Sequence, residues 1–222
     1  MAETKQRVPS ARRLTAVAKM ALFVLALLPL GQLVYWTWSG NLGANPVQTM
    51  TFLTGDWGLY FLLMTLAITP LRRLLGWNWL QRFRRMLGLF AFFYVTLHFL
   101  VYLVFDQFFD LASIAADVGK RPYITVGFTA FILMIPLALT STNAMMRRLG
   151  RRWQRLHRLI YAIGVLAILH YLWLVKADIR RPAAFAALLA LLLGYQLWLY
   201  YRRRESARRL RPVIGSAQAG AD

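Results

Sequence analysis

The stretch RRMLGLFAFFYVTLHFLVYLVFD, residues 84–106, decides the class of fold. Two arginines open it, and no other charged side chain follows until Asp106. The apolar run between them has about 20 residues, the length that an α-helix needs to cross a hydrocarbon core of roughly 30 Å. Hydrophobic residues make up 59% of the 222-residue chain. We therefore predict that this stretch, which contains His98, is one of several membrane spans.

Five further apolar stretches of similar length predict an all-α fold, a polytopic membrane protein built as a six-transmembrane-helix bundle. The expected helices are Ala16–Trp38, Thr51–Leu71, Met86–Phe105, Tyr123–Thr142, His157–Val175 and Ala183–Tyr201. The second ends beside Pro70, where a helix stops or kinks. The fourth contains Pro136, which a membrane helix tolerates where neighbours satisfy the freed carbonyl. We detect no internal repeat in the sequence.

The basic residues predict how the bundle is oriented. Of the 27 Lys and Arg residues, 22 lie within the first 19 residues, in the segments 72–85 and 147–158, and after position 201. Positively charged loops stay on the cytoplasmic side, so we expect both termini in the cytoplasm. This divides the chain into a cytoplasmic N-terminal segment (1–15), a membrane domain (16–201) and a cytoplasmic basic tail (202–222).

The formal net charge of +19 does not predict nucleic acid as a partner. Clustered arginines neutralise phosphates in nucleic-acid-binding proteins. Here the clusters flank the predicted spans, so orientation and contact with anionic lipids of the bilayer account for them. The predicted partner of these residues is the lipid bilayer.

The composition limits the redox chemistry that the chain performs. With no cysteine in the sequence, disulfides, iron–sulfur clusters and covalently attached haem are excluded. Neither a G-x-G-x-x-G motif nor a P-loop is present. Any redox cofactor is thus held by His, Met or noncovalent contacts.

Two histidines, His98 and His170, occupy matching positions in the third and fifth predicted helices, which run in the same direction. They lie 12 residues after Met86 and 13 after His157, which places both roughly 18–20 Å above the inner boundary. Two imidazoles from facing helices can clamp a haem. Alternatively, each forms a hydrogen bond with a neighbouring helix and binds nothing.

Aromatic residues near this pair provide surface for a porphyrin. They are Phe92, Phe93, Tyr94, Phe99, Tyr102 and Trp173.

The third histidine, His157, is ambiguous because it begins the fifth predicted helix near the cytoplasmic interface. A separation of 13 residues puts it roughly 140° around the helix from His170, so the two do not share a face. A second bis-histidine haem would need an inner partner on the third helix, which offers Arg84, Arg85 and Met86. The residues therefore favour one haem.

Long runs of the sequence resemble the MsrQ family, the haem-binding membrane subunits of the periplasmic protein-methionine-sulfoxide reductase system. The matching runs are TGDWGLYFLLMTLAITPLRR, RRMLGLFAFFYVTLHFLVYLVFD, GKRPYITVGF and TSTNAMMRRLGRRWQRLHRLIYAIGVLAILHYLWLVK. More distantly, the chain is similar to the ferric reductase-like transmembrane superfamily.

The resemblance implies a function in electron transfer. Electrons from the quinone pool, or from a cytosolic flavin reductase, would pass across the bacterial inner membrane through haem b. They would reach a periplasmic molybdopterin-containing methionine sulfoxide reductase catalytic subunit. The family's functional histidines correspond to His98, His157 and His170. FMN is also attributed to the family, and we expect it near the cytoplasmic arginines Arg84, Arg85, Arg152 and Arg155. The outer loops 106–122 and 176–182 would dock the catalytic subunit.

Two other functions compete with this hypothesis. A stand-alone ferric or quinone reductase would reduce an outer acceptor without a protein partner. A transporter or structural membrane protein would bind no cofactor, but transporters place charged residues or broken helices at the midplane. The predicted spans contain no deep charge, which weakens that alternative.

Overall fold

A computed structural model describes residues 11–175 and 178–218, and this part of the chain is helical with short connections. The α-helices are α1 (Ala11–Trp38), α2 (Pro46–Leu75), α3 (Arg84–Val101), α4 (Leu111–Lys120), α5 (Pro122–Leu139), α6 (Asn143–Leu149), α7 (Arg151–Leu156), α8 (Leu159–Leu174) and α9 (Arg180–Gln218). A 3₁₀ segment, Asn78–Arg82, precedes α3, and a π-helical turn, Tyr102–Asp106, follows it.

Within the described residues, six helical stretches are long and apolar enough to cross a membrane, which confirms the predicted number of spans. Their bounds are Arg13–Trp38, Pro46–Leu75, Arg84–Asp106, Pro122–Leu139, Arg151–Leu174 and Arg180–Arg202. The chain is thus an all-α, multi-pass membrane protein.

Several predicted boundaries were wrong. The second helix begins at Pro46, where the Asn45 side chain accepts the N–H of Gln48. It ends at Leu75 and is followed by Gly76 in the left-handed conformation. The fifth span begins at Arg151 and is interrupted before Leu159, so His157 lies directly after the end of α7. The last helix continues beyond position 201, to Gln218.

Pro70 neither stops nor ends α2, because a neighbouring helix compensates for it. Proline has no N–H, so the carbonyl of Leu66, four residues earlier, loses its helical partner. The side-chain amide of Gln196 on α9 donates to that carbonyl over 3.2 Å. The helix therefore continues to Leu75.

Two helical hairpins form the centre of the bundle. One is α2 packed along α3, and the other is α5 packed along α8. The hairpins meet through α3 against α5 and α2 against α8, around the buried residues Leu66, Ala91 and Ile163. Helix α9 packs on α8 and α2, while α1 lies against α2 and presents most of its apolar side chains outward. This arrangement directs α3 and α8 towards each other.

Candidate functional site

The structure brings His98 on α3 and His170 on α8 together inside the bundle. Their ring centroids are 6.1 Å apart, and the ring planes are nearly perpendicular, at 85°. Bonds from a metal to imidazole nitrogen are about 2.0–2.1 Å long, so two rings on opposite sides of one metal ion have centroids about 6 Å apart. The observed separation therefore suits a shared metal ion.

Each of these imidazoles is oriented by a hydrogen bond from its Nδ1 atom to a backbone carbonyl. Nδ1 of His98 lies 2.9 Å from the carbonyl oxygen of Thr51, and Nδ1 of His170 lies 2.7 Å from that of Tyr123. A carbonyl only accepts, so both Nδ1 atoms carry the proton. In a neutral imidazole, Nε2 then keeps a free lone pair, which is the form that binds metals.

The two rings border a cavity of about 280 Å³ between the hairpins. Most of its wall is apolar, including Leu62, Val95, Phe99, Phe128 and Phe131. Rings from two helices pack here, since Phe99 and Phe131 stack with centroids 4.9 Å apart. An apolar slot that ends in two imidazoles fits a flat macrocycle with a central metal ion.

Only part of the predicted aromatic lining borders the cavity. Phe99 and Tyr102 do so, whereas Trp173 is 51% exposed. Tyr94 is buried against α1, where its hydroxyl donates to the carbonyl of Ala26. Tyr94 and Trp173 are close to the histidines in the sequence, but neither lies on the side of its helix that faces the cavity.

The mouth of the cavity is polar and lies at the end of α3 that leads into α4. Asp117 forms an ion pair with Arg121, over 3.1 Å, and accepts hydrogen bonds from Tyr102 and Gln107. A hydrogen bond to the Tyr123 side chain and the charge of Asp117 raise the pKa of Arg121. A permanent guanidinium charge therefore lies at the opening, where it suits a carboxylate-bearing ligand.

A second acidic residue, Asp56, lines the cavity from α2. Its carboxylate is 3.8 Å from the guanidinium of Arg181, the second residue of α9. This contact ties α9 to the cavity wall.

His157 lies apart from the other two histidines. Its ring stacks on Trp153 with centroids 3.9 Å apart, its Nδ1 is 3.1 Å from the Trp153 carbonyl oxygen, and Nε2 lies 3.4 Å from the Ser141 hydroxyl. His157 precedes His170 by 13 residues, and the residue 13 positions before His98 is Arg85. Arg85 donates to the Asn143 side chain. The described residues therefore contain one facing histidine pair.

The number of ligand side chains at the site distinguishes a metal ion held by protein alone from a haem iron. Within the described ranges, no group of three His, Cys, Asp or Glu residues is placed to hold a metal ion. A metal ion held by protein alone usually takes three or four such ligands. Two opposed imidazoles in an apolar slot instead match haem iron, whose remaining four ligands come from the porphyrin.

Comparison with known proteins identifies the class first. The protein-family model described as ferric reductase like transmembrane component matches residues 54–168, from α2 into α8. This stretch includes His98 and His157. No solved structure matches the chain.

Curated relatives narrow the assignment. Each is named protein-methionine-sulfoxide reductase heme-binding subunit MsrQ. The protein of Herminiimonas arsenicoxydans is 55% identical over 91% of this chain and 94% of its own length. The protein of Ralstonia nicotianae is 56% identical over 83% of this chain and 86% of its own length. The protein of Azospira oryzae is 53% identical over 85% of this chain and 82% of its own length. The chain belongs to the MsrQ family within the ferric reductase-like transmembrane proteins.

Proposed function

We propose that this protein is a membrane electron-transfer subunit that binds one b-type haem between His98 and His170. The observation that carries this proposal is the pair of opposed imidazoles, 6.1 Å apart, each held by a backbone carbonyl. The names of the relatives, which call them heme-binding subunits, support it independently.

Haem supplies one-electron chemistry when it is bound, and the residues of this chain determine where it lies. His98 and His170 would hold its iron, and the hydrogen bonds of their Nδ1 atoms would increase their basicity. The apolar wall, with Phe99 and Phe131, would exclude water. Arg121 at the mouth would attract a propionate.

The electron path follows from the orientation predicted by the basic residues. With both termini in the cytoplasm of a bacterial inner membrane, the cavity mouth faces the periplasm. Electrons would enter from the quinone pool or a cytosolic flavin reductase and leave to a periplasmic molybdopterin-containing methionine sulfoxide reductase. The loops 106–122 and 176–182 would dock that catalytic subunit; Lys176 and Ala177 of the second loop lie outside the described residues. Oxidised periplasmic proteins would be repaired as a result.

On the cytoplasmic side we propose an FMN site near Arg84, Arg85, Arg152 and Arg155, since guanidinium groups pair well with phosphate. Replacing these four arginines by Gln should release the flavin without changing haem content. Normal flavin retention in that variant would contradict this location. His157, which lies on the same side, stays a candidate cofactor-binding residue, and a lower haem or flavin count in His157→Ala would support that role.

A visible difference spectrum tests the central proposal. Detergent-purified protein, reduced with dithionite, should give sharp b-type bands, and pyridine haemochrome should count about one haem per chain. His98→Ala and His170→Ala should each lose these bands while remaining monodisperse in gel filtration. A featureless spectrum from folded, haem-supplied wild-type protein would overturn the proposal, and unchanged bands in either variant would remove that histidine as a ligand.

The same preparation distinguishes a stand-alone reductase. Reduced protein should transfer electrons rapidly to the periplasmic catalytic subunit. Turnover of a small ferric or quinone acceptor without that subunit would instead favour the stand-alone function.

A further inference from the structure

The two central hairpins carry the same histidine setting at the same chain spacing. In α2–α3, the carbonyl that accepts from His98 belongs to Thr51, and in α5–α8 the one that accepts from His170 belongs to Tyr123. Both separations are 47 residues. A glycine lies four residues after each carbonyl, Gly55 and Gly127. The pattern of carbonyl, glycine and histidine is therefore repeated, although the sequence shows no repeat by inspection.

Both glycines lie directly behind an imidazole. A Cβ atom placed on Gly127 would be 2.6 Å from Nδ1 and 2.9 Å from Cε1 of His170. At Gly55 the corresponding distances to His98 are 3.0 Å and 3.2 Å. Since ordinary contacts begin near 3.4 Å, an alanine at Gly127 would displace the His170 ring, and one at Gly55 would shift the His98 ring by a few tenths of an ångström. The effect is stronger at Gly127.

These contacts differ from those of other helical glycines in the bundle. A Cβ atom on Gly58 would meet Val95, and one on Gly164 would meet Leu189 and Leu66, which are contacts of ordinary helix packing. Glycine is a poor helix former, so its presence inside α2 and α5 needs a local reason. At Gly55 and Gly127, the three nearest atoms all belong to a histidine ring.

We infer that Gly55 and Gly127 are positioning residues that set the orientation of the two axial ligands. The absence of a side chain lets each imidazole lie against the helix backbone, close enough for Nδ1 to reach the carbonyl one turn earlier. That contact leaves the Nε2 lone pair free and holds the ring planes near perpendicular. The inference rests on the proposed haem site, because it treats His98 and His170 as ligands.

Alanine substitutions test the inference against a matched control. Gly194 lies in α9, and a Cβ atom there would meet nothing within 4 Å, so Gly194→Ala is the control. Gly127→Ala should lower haem affinity by about 10- to 100-fold, the usual effect of disturbing a group that orients a metal ligand. Gly55→Ala should have a smaller effect, and Gly194→Ala none.

Electron paramagnetic resonance of the oxidised protein reports the ring orientation directly. Near-perpendicular imidazole planes give a strongly anisotropic low-spin signal. In Gly127→Ala, and to a lesser degree in Gly55→Ala, the largest g value should shift as the ring turns. A wild-type haem count and an unchanged signal in both variants would overturn the inference.

A double substitution separates positioning from general packing. If Gly127 acts through the His170 ring, Gly127→Ala should not lower the thermal stability of a His170→Ala protein any further. Equal destabilisation by Gly127→Ala in both backgrounds would assign the glycine to packing and overturn the inference. Failure of this inference is distinct from failure of the proposed function, because the latter would appear as wild-type protein without haem.

Discussion

Replacing Tyr94 with Phe would remove a single hydroxyl group from the junction of α1 and α3. This hydroxyl donates to the carbonyl of Ala26 over 2.7 Å and accepts the N–H of Leu30 over 3.2 Å. In a regular helix these two backbone groups would bond each other. Here Pro29 lies between them, and the hydroxyl bridges them from the neighbouring helix. Because Tyr94 is only 1% exposed, no water replaces the lost group.

The expected loss of stability follows from two hydrogen bonds. Hydrogen bonds between membrane helices contribute about 0.6 kcal/mol on average and about 1.7 kcal/mol at most. Two of them correspond to about 1–3 kcal/mol. We expect the lower half of that range, because the Phe ring keeps the stacking on Phe61, whose centroid lies 5.5 Å away at 15°. Such a change lowers the ratio of folded to unfolded protein several-fold.

Unfolding by sodium dodecyl sulfate in mixed micelles, followed by circular dichroism, measures this difference. Tyr35→Phe is the control, because Tyr35 also lies on α1 but is exposed. Haem content should stay at the wild-type value, since His98 is held by Thr51 on α2 and not by α1. Equal stability of Tyr94→Phe and wild-type protein would refute the view that this hydroxyl anchors α1 to the bundle.

Three further predictions concern polar groups around the bundle. The side chain of Asp110 caps α4, and hydrogen bonds from the hydroxyl and N–H of Ser113 lower its pKa. The stabilisation from this cap is therefore complete above the ordinary aspartate pKa of about 4. It is lost as the pH falls through the lower pKa that Asp110 has in the folded protein. The protection factor of the Ser113 amide, its observed exchange rate relative to the intrinsic rate at the same pH, should fall under such acid conditions, and unchanged protection would contradict the cap. Asp117→Asn should destabilise the protein by less than about 1 kcal/mol, because the ion pair at the cavity mouth is partly solvated. Gln196→Leu should cost about 0.6–1.7 kcal/mol, measured by unfolding, since the carbonyl of Leu66 loses its partner; no change would mean that another group replaces it.

Helix number and class could be predicted from the sequence, whereas helix ends could not. Apolar runs of about 20 residues report that a segment enters the bilayer, but they carry no information on caps. The interruption before Leu159 and the continuation of α2 past Pro70 depend on contacts with other helices, such as the bond from Gln196. Those contacts become known only when the helices are packed.

The candidate site shows the same division. His98 and His170 could be singled out because a polar side chain deep in an apolar span is costly without a function or a partner. Their common depth followed from counting residues along parallel helices. Gly55 and Gly127 were missed, although their equal spacing of 43 residues before each histidine was available in the sequence (55 to 98 and 127 to 170). Nothing marked that spacing as meaningful until the rings were seen against the glycines.

By itself, the sequence determined that this protein crosses the membrane six times and carries histidines at one depth. The length of an apolar segment and the charge beside it are local properties. They determine whether the segment inserts into the bilayer independently of the rest of the fold. Only the tertiary structure decided that the two rings face each other 6.1 Å apart with their Nδ1 atoms held by carbonyls, and that His157 lies elsewhere. The rotation of each helix about its axis decides these relations, and it is set by packing against neighbours from distant parts of the chain.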